Sequence, residues 1–259
     1  RIWMAEPLLR VSDLTLSYIA PQPVLSGVDL QVGTGEFASL VGPSGSGKSS
    51  VLRAIMRLQE YQSGEVALGV PVQDVGILFQ DDALLPWRTV LQNVALGLRI
   101  RGGSKRSSLE RAETWLGRMG LAGLGDRYPR ELSGGQRKRV ALAQVLALQP
   151  RFLLMDEPFA SLDAIVRRRI TGELLEWVER ERLTVLMVTH DLEEAISLSD
   201  TVHLLSRGPF ARISASHEVP IPRPRDLVGV RTHPAFNTLL GKLWQGLEQE
   251  VEGTGEVYA

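Results

Sequence analysis

At 259 residues, with 44% apolar and 23% charged residues, the chain has the composition of a globular protein with one sizeable α/β domain or two small ones. A net charge of −1 excludes a general electrostatic attraction to nucleic acid or acidic lipid, and the absence of cysteine excludes disulfides, iron–sulfur clusters and thiolate zinc sites. No apolar run approaches the roughly 20 residues that span a bilayer, so any membrane role is expected to come from partner chains.

The first third of the chain is predicted to form strands. Apolar residues alternate with polar ones from Leu14 to Tyr18 and again from Val28 to Val32, the period of half-buried antiparallel strands. A short apolar strand, Phe37–Val41, then leads into a glycine-rich loop, after which Val51–Met56 has helical spacing. Strand, glycine loop and helix in this order begin a parallel α/β unit.

The glycine-rich loop is a complete P-loop motif, and its residues form the candidate ATP-binding set: Gly42, Pro43, Ser44, Gly45, Ser46, Gly47, Lys48, Ser49 and Ser50. Glycines let backbone N–H groups surround phosphates, and the following helix presents its positive end. Lys48 is expected to supply a charge to the β- and γ-phosphates. The hydroxyl of Ser49 is a candidate ligand of Mg²⁺.

The pattern becomes helical from about residue 81 to residue 150. Ser107 and Glu110 have the spacing of a capping box, which predicts a helix over Leu109–Met119 preceded by an exposed turn. A second helix is predicted over Arg137–Leu148. The motif before it is Leu132-Ser133-Gly134-Gly135-Gln136, in which Ser133 is a candidate cap, and the free N–H groups of this helix start could bind an anion.

The α/β alternation returns after Pro150. An apolar strand, Phe152–Met155, ends in Asp156 and Glu157. Such a pair is often a plain strand end, but downstream of a P-loop it is the expected catalytic pair, in which Asp156 holds Mg²⁺ and Glu157 orients or deprotonates water. A helix over Ile165–Val178, with Ile165 on its apolar face, and a strand over Thr184–Val188 complete the prediction of a parallel sheet covered by helices.

The C-terminal region begins with a segment that cannot be regular helix, because three prolines interrupt residues 219–225. An amphipathic stripe from Phe236 to Leu247 follows and predicts a helix that packs on the surface of its own domain.

These motifs and their order resemble the nucleotide-binding subunits of ABC transporters over nearly the whole chain. The resemblance implies a P-loop NTPase core of α/β class with a mainly parallel sheet, an N-terminal antiparallel β subdomain and an inserted helical subdomain. The expected boundaries are 7–225 for the ATPase domain, about 81–150 for the helical subdomain within it, and 226–259 for a C-terminal helix and tail.

The resemblance also implies roles for further residues. Tyr18 stands where the family places an aromatic ring on adenine, although a tyrosine in an amphipathic strand is commonly a core residue. Gln80 matches the loop glutamine that reaches Mg²⁺ and senses the membrane subunit, and His190 matches the switch histidine at the γ-phosphate. Ser133–Gln136 match the signature that contacts the ATP of the other subunit, and Asp163 lies in the dimer loop.

The partners implied by the resemblance are a second copy of the chain, packed head to tail, and separate transmembrane permease subunits. Residues 79–94 and 220–226 resemble importers of nitrate, sulfonates, taurine and thiamine precursors, which work with a periplasmic or lipid-anchored binding protein. The chain is thus expected at the cytoplasmic face of the inner membrane, without a nucleic-acid partner. Leu84, Leu85 and Trp87 are either an apolar socket for the permease or part of the helical core.

Two other functions remain open from the sequence. An exporter or lipid extractor can use the same separate ATPase chain, and only the importer-like segments argue against it. A soluble ABC ATPase of DNA repair or translation is disfavoured, because the spacing between P-loop and signature leaves no room for a long coiled coil, only one set of motifs occurs, and the net charge is close to zero.

Overall fold

A computed structural model describes residues 7–19, 22–160 and 162–252 of the chain. The chain divides into two compact units, a first unit of Arg1–Val72 with Trp177–Ala259 and a second unit, Gln73–Glu176, inserted into it. Among the described helices, none combines the length and the apolarity needed to cross a membrane.

Strands and helices alternate along much of the chain. In order they are β1 (Pro7–Leu16), β2 (Leu25–Gly33), β3 (Phe37–Val41), α1 (Lys48–Ile55), β4 (Ser63–Leu68), β5 (Val75–Leu78), α2 (Val90–Ile100), α3 (Lys105–Arg118), α4 (Gly134–Leu146), β6 (Phe152–Asp156), α5 (Ala164–Glu181), β7 (Thr184–Thr189), α6 (Leu192–Leu198), β8 (Thr201–Leu205), β9 (Ile213–Glu218) and α7 (Pro234–Glu252). Short 3-10 turns lie at Val72–Asp74, Pro129–Glu131 and Gly229–Thr232.

The first unit contains an antiparallel sheet in which β1 lies between β2 and β4. The register places Val11 beside Leu30 and Leu14 beside Val28, so buried apolar side chains meet across the strand pair. This confirms the antiparallel strands predicted from the alternating pattern. Tyr18 does not belong to them: it follows the end of β1 and is 49% exposed.

The first unit also contains parallel strands in the order β7-β3-β8, with β9 added antiparallel to β8. Every residue of β3 and β7 is buried, as expected for strands covered on both faces. Val41, the last residue of β3, pairs with Thr189, the last residue of β7. The carboxyl ends of these two strands therefore reach the same sheet edge.

The second unit combines a parallel pair, β5 and β6, with helices α2, α3 and α4, which pack on one another; α4 also contacts β5. Leu78 pairs with Met155, so these two strands also end at a common edge. With the sheets of the first unit, this arrangement confirms the predicted α/β class, with mainly parallel strands, an N-terminal antiparallel sheet and inserted helices.

The C-terminal helix α7 packs on the first unit, as its apolar stripe predicts. Phe236, Leu239 and Leu243 are buried in one cluster with Ile196 of α6 and Leu204 of β8. The segment 219–225 contains neither helix nor strand, in agreement with its prolines. Residues 253–259 of the predicted tail lie outside the described residues.

The capping box predicted at Ser107 is wrong. Helix α3 begins at Lys105, and its cap is Ser104, whose side chain accepts a hydrogen bond from the N–H of Ser107 at 3.2 Å. Glu110 instead binds Arg106, one turn earlier, at 2.8 Å. The predicted exposed turn is therefore shorter than expected, because the helix starts one turn earlier.

Two further helix predictions need correction. The signature helix α4 begins at Gly134 and ends at Leu146, rather than running from Arg137 to Leu148. On α5, Ile170 and Leu174 are buried but Ile165 is 84% exposed. Five residues of helix rotate the side chain by about 140°, so Ile165 cannot share the face of Ile170.

Candidate active site

The P-loop leaves the buried strand β3 and leads directly into α1, which begins at Lys48. A Cβ on Gly42 would lie 2.6 Å from the carbonyl oxygen of Leu205, and a Cβ on Gly47 would lie 2.7 Å from Cδ2 of Leu25. Gly47 also has a φ of 94°, in the left-handed region. Both glycines are therefore required by the path of the loop, and the predicted strand, loop and helix are in place.

Lys48 lies inside the loop and is 7% exposed. Its Nζ donates hydrogen bonds to the carbonyl oxygens of Gly42 and Pro43, both at 2.8 Å. The ammonium group is thus held at the start of α1, where the N–H groups of the first turn and the positive end of the helix dipole also attract anions. A cation and backbone amides at one helix start are the features with which a protein binds phosphate.

Tyr18 lies close to the P-loop. Its hydroxyl is 3.0 Å from Oγ of Ser50, on the first turn of α1, while about half of the residue is exposed. The structure therefore removes the core interpretation of this tyrosine and leaves its ring accessible beside the loop.

His190 is at the same sheet edge as the P-loop. It follows Thr189, whose partner in the register is Val41, and Gly42 follows Val41. The histidine is exposed. A side chain that leaves the sheet here can reach a ligand bound by the loop.

Hydrogen bonds fix the backbone on both sides of His190. Oγ1 of Thr189 donates to a carboxylate oxygen of Glu194 at 2.6 Å and accepts from the N–H of Asp191 at 3.1 Å. Asp191 in turn caps α6 by accepting from the N–H of Glu194 at 3.0 Å. The turn between β7 and α6 is thus determined by three polar side chains.

The second unit brings Gln80, Asp156 and Glu157 to one edge. Gln80 follows β5, Asp156 ends β6 and Glu157 comes directly after it, and the pairing of Leu78 with Met155 aligns the two strand ends. Asp156 is 7% exposed, Glu157 is partly exposed and Gln80 is exposed. Carboxylates and an amide at one sheet edge can bind a cation and orient water.

Glu157 has a backbone φ of 43°, which is unusual for a residue with a side chain. A conformation of this kind costs about 1 kcal/mol or more and occurs preferentially at active sites. Pro158, which follows, is buried, and Ser161 lies outside the described residues.

The signature motif caps α4 as expected. Oγ of Ser133 accepts from the N–H of Gln136 at 3.3 Å, and the side-chain oxygen of Gln136 accepts from the N–H of Ser133 at 2.9 Å. Ser133 and Gly134 are exposed, and Gly135 and Gln136 are partly exposed. The helix start has no acidic residue in its first turn, so it presents a positive end to solvent.

Asp163 caps the start of α5. Its Oδ1 accepts hydrogen bonds from the N–H groups of Ile165 at 3.1 Å and Val166 at 3.0 Å. The carboxylate has this local role whether or not it also contacts another chain.

The predicted magnesium ligands, Ser49, Gln80 and Asp156, offer a hydroxyl, an amide and a carboxylate. Within the described part of the chain, no group of three or more His, Cys, Asp or Glu side chains could hold a metal alone. Oxygen is the ligand atom that Mg²⁺ prefers, and this ion usually takes its remaining ligands from phosphates and water. The donor set suits an ion that arrives with a nucleotide.

The sequence interpretation missed Lys138, on the second turn of α4. This residue is 1% exposed, and its Nζ donates to the carbonyl oxygens of Phe79 and Gln80, each at 3.1 Å. Burial lowers the pKa of Lys138, while nearby carboxylates, Asp82 first, raise it. A signal was available: Lys138 shares a helix face with Ala141, where an apolar residue is expected.

The fold and these sites define a P-loop nucleotide-binding protein of the α/β class. The family model described as ABC transporter matches residues 25–160, more than half of the chain. The chain belongs to the ABC transporter family. The resemblance drawn from its motifs is thereby confirmed, and with it the predicted enzyme class, an ATPase.

Several curated relatives align with most of the chain. It is 44% identical over 220 residues to the aliphatic sulfonates import ATP-binding protein SsuB 2 of Rhodococcus jostii, covering 85% of this chain and 86% of that one. It is 40% identical to the bicarbonate transport ATP-binding protein CmpC of Synechocystis and to the nitrate import ATP-binding protein NrtC of Synechococcus elongatus. In both comparisons the aligned region makes up 87% of this chain but only 35% of the relative's length.

Two solved structures of an ABC transporter cassette are similar to this chain in fold. The dimeric structure of MJ0796, a bacterial ABC transporter cassette, is 29% identical with a TM-score of 0.74, covering 83% of this chain and all of that one. A post-hydrolysis state of the same cassette, bound to ADP and Pi, is 30% identical with the same TM-score.

Proposed function

We propose that the chain is the ATP-hydrolysing subunit of a membrane importer for a small nutrient such as nitrate, a sulfonate, taurine or a thiamine precursor. The observation that carries the ATPase part is the P-loop closed around Lys48, with the switch histidine at the same sheet edge. The import function is supported by the names of relatives that align with 85–87% of the chain, which specify import or transport of sulfonates, nitrate and bicarbonate.

In this proposal each polar residue has one role toward ATP. Lys48 neutralises the β- and γ-phosphates, and His190 donates a hydrogen bond to the γ-phosphate. Ser49 and Asp156 hold the Mg²⁺ that accompanies ATP, and this ion neutralises charge on the phosphate oxygens. Glu157 accepts the proton of the attacking water.

Tyr18 and Gln80 complete the set proposed to act on ATP. The exposed ring of Tyr18 stacks on adenine, for which the ring's position beside Ser50 is suitable. Gln80, exposed at the end of β5, adds its amide oxygen to the Mg²⁺ ligands.

The active form in this proposal is a head-to-tail homodimer. The start of α4, from Ser133 to Gln136, is wholly or partly exposed, capped and free of acidic residues in its first turn. It would bind the phosphates of the ATP held by the other copy, with Asp163 beside it in the dimer loop. The dimeric solved cassette, which the chain resembles over 83% of its length, supports the formation of a dimer.

A surface groove of about 360 Å³ is the proposed permease contact, which would place the chain at the cytoplasmic face of the membrane as a peripheral subunit. Its lining includes Trp87, Arg88, Gln92 and Arg99. Trp87 is 71% exposed, so it does not belong to a core. A large exposed aromatic ring in a groove suits a helix of a partner chain.

The ATPase roles are tested with two variants. Glu157→Gln is expected to keep ATP affinity within about threefold while turnover falls by at least about 100-fold, because only the proton acceptor is lost. Lys48→Ala is expected to weaken ATP binding itself by about tenfold or more. Normal turnover in the first variant, or undiminished affinity in the second, would contradict the assigned roles.

The import function is tested by isolating the complex. Tagged Glu157→Gln chain, expressed in its native host, is extracted with ATP from detergent-solubilised membranes, and its partners are identified by mass spectrometry. A multi-span permease encoded beside a binding protein is expected. An export complex, ribosomal proteins or DNA-repair factors would overturn the importer assignment and leave the ATPase roles intact.

A further inference from the structure

Lys138 joins the loop after β5 to the helix that carries the signature. Its Nζ has two carbonyl acceptors at 3.1 Å, on Phe79 and Gln80, and lies 3.8 Å from Oδ1 of Asp82. Nε of Arg137, the preceding residue on α4, is 3.4 Å from Oδ2 of the same aspartate. Two consecutive side chains of the signature helix therefore hold residues 79–82.

The ammonium group of Lys138 is buried, so it needs the contacts with residues 79–82 that are present only while the loop lies against α4. Lys138 is 1% exposed, and burial of a charge is strongly unfavourable unless hydrogen bonds and opposite charge compensate it. Three of the compensating groups, two carbonyls and the Asp82 carboxylate, belong to the loop, while Asp156 of β6 adds opposite charge from outside it. If the loop moved away from α4, the ammonium would lose all three, so the loop and the helix are expected to move as one piece.

The two ends of this piece carry different proposed functions. The loop contains Gln80, proposed to reach the Mg²⁺ of its own ATP, and continues to the groove residue Trp87. Helix α4 begins at the signature, Ser133–Gln136, proposed to reach the ATP of the other copy. Lys138 contacts the backbone of Gln80 directly, so it sets the position of that residue rather than the chemistry of its side chain.

We propose that Lys138 is a positioning residue for ATP hydrolysis, which holds the Gln80 loop to the signature helix so that the two are placed together. This inference rests on the roles proposed above for Gln80 and for the signature. It adds a residue of α4 that touches neither ATP nor metal.

The test compares Lys138→Met with wild type in the full chain. Methionine has nearly the same length but cannot donate a hydrogen bond. Without nucleotide, the amides of residues 79–82, which Lys138 and Arg137 contact, are expected to exchange with solvent deuterium about tenfold faster. Turnover is expected to fall about tenfold and the Mg²⁺ concentration for half-maximal activity to rise severalfold, while the Kd for ATP without Mg²⁺ stays within twofold.

Lys242→Met is the matched control, since it removes the same side chain from an exposed position on α7 and is expected to change none of these quantities. Asp82→Asn is the second variant, because its partly exposed side chain tolerates the change. Asp82→Asn should also speed deuterium exchange and raise the Mg²⁺ concentration for half-maximal activity, but by less than Lys138→Met. If Lys138→Met does not fold, the result with Asp82→Asn tests the inference.

Unchanged exchange of residues 79–82 would overturn the inference, and so would faster exchange without any change in turnover or Mg²⁺ dependence. An inactive wild-type chain would instead count against the proposed ATPase roles. The exchange measurement needs no ATP and would still establish whether Lys138 holds the loop.

Discussion

Gly47 and Glu157 both have left-handed backbone angles, with φ of 94° and 43°, but only glycine adopts them without strain. Gly47 needs this conformation because Val24 and Leu25 fill the space that a Cβ would occupy. At Glu157 the surrounding structure must hold an unfavourable conformation. Glutamine carries the same backbone strain, keeps the size of the side chain and removes only its charge, so Glu157→Gln tests the carboxylate alone.

Tyr18 provides a prediction at the residue scale, because its ring and its hydroxyl have separable roles. Loss of the ring in Tyr18→Ala should weaken ATP binding by about tenfold, the usual contribution of one aromatic ring stacked on a base. Tyr18→Phe loses only the contact with Ser50, 3.0 Å away, and should stay within about threefold. Calorimetric titration with ATP measures both. Equal affinities for the two variants would exclude stacking.

At the scale of elements, the segment 219–232 is bound to the end of α6. Arg223 binds both carboxylate oxygens of Asp200, at 2.9 and 3.0 Å, and donates to the carbonyl of Leu198 at 3.3 Å. Arg225 binds Asp200, the carbonyl of Ser199 and the carbonyl of Ile221. One aspartate therefore connects an irregular, proline-rich segment to the end of the helix that follows His190.

Arg225→Met is expected to lower the free energy of unfolding by about 2–3 kcal/mol. The Arg225 side chain is 2% exposed, and its loss leaves buried carbonyls without donors, although Asp200 keeps Arg223. The control is Arg231→Met in the same segment. Its ion pair with Glu193 is exposed and should contribute less than about 1 kcal/mol. Urea denaturation compares the two, and equal losses would contradict this account.

The β8–β9 pair contains a histidine that makes stability depend on pH. His203 is 6% exposed and lies 2.7 Å from Oγ of its cross-strand partner Ser216, and burial lowers its pKa from 6.5 to about 4. Below pH 6.5 the unfolded chain binds a proton that the folded chain does not, so stability decreases as the pH falls from 6.5 toward 4. The loss from this residue is about 2 kcal/mol at pH 5.

The pH prediction is tested with His203→Asn, whose amide can replace Nδ1 in the contact with Ser216 but does not titrate. Urea denaturation at pH 7 and pH 5 should show a decrease for the variant that is smaller by about 2 kcal/mol than for wild type. His217, whose pKa is lowered by burial and by Lys242, remains in both chains and contributes equally. The same decrease in both chains would refute the assignment to His203.

Local rules predicted the elements whose signals do not compete. The strand Phe37–Val41 and the cap at Ser133 are as predicted, since a buried apolar run and a capping box each have one interpretation. At Ser104 and Ser107 two serines competed for one helix start. Ser104 is the cap because Gly102, with a φ of 89°, turns the chain just before it.

Two further features, the cap of α2 and the burial of Lys138, were not predicted, and only the second depends on tertiary contacts that no local pattern contains. The cap of α2, Thr89 with Gln92, is a complete capping box that the sequence analysis overlooked. The burial of Lys138, in contrast, follows from acceptors on Phe79 and Gln80, far away along the chain. The periodicity around it indicates only that this helix face is buried.

At the scale of the whole molecule, the residues proposed to act on ATP are divided between the two compact units. The first unit carries the P-loop, Tyr18 and His190, and the second carries the acidic pair and the signature. In the proposed head-to-tail dimer, the signature of one copy serves the P-loop of the other. This arrangement predicts that two different inactive variants restore ATPase activity when they are mixed, because they complement each other in mixed dimers.

Lys48→Ala disables the P-loop and keeps the signature, whereas Ser133→Arg blocks the signature and keeps the P-loop. In a mixed dimer, one ATP site combines both defects and the other combines two intact parts. Equal amounts that pair at random give about half mixed dimers, each with one intact site, so activity should recover to about one quarter of wild type. Each variant alone, at the same total concentration, is the control for residual activity. A mixture no more active than the sum of its components would mean either that one copy completes its own site or that both sites must be intact. An equal mixture of Glu157→Gln with wild type separates these explanations, because it should keep about half of the wild-type activity only if each site acts on its own.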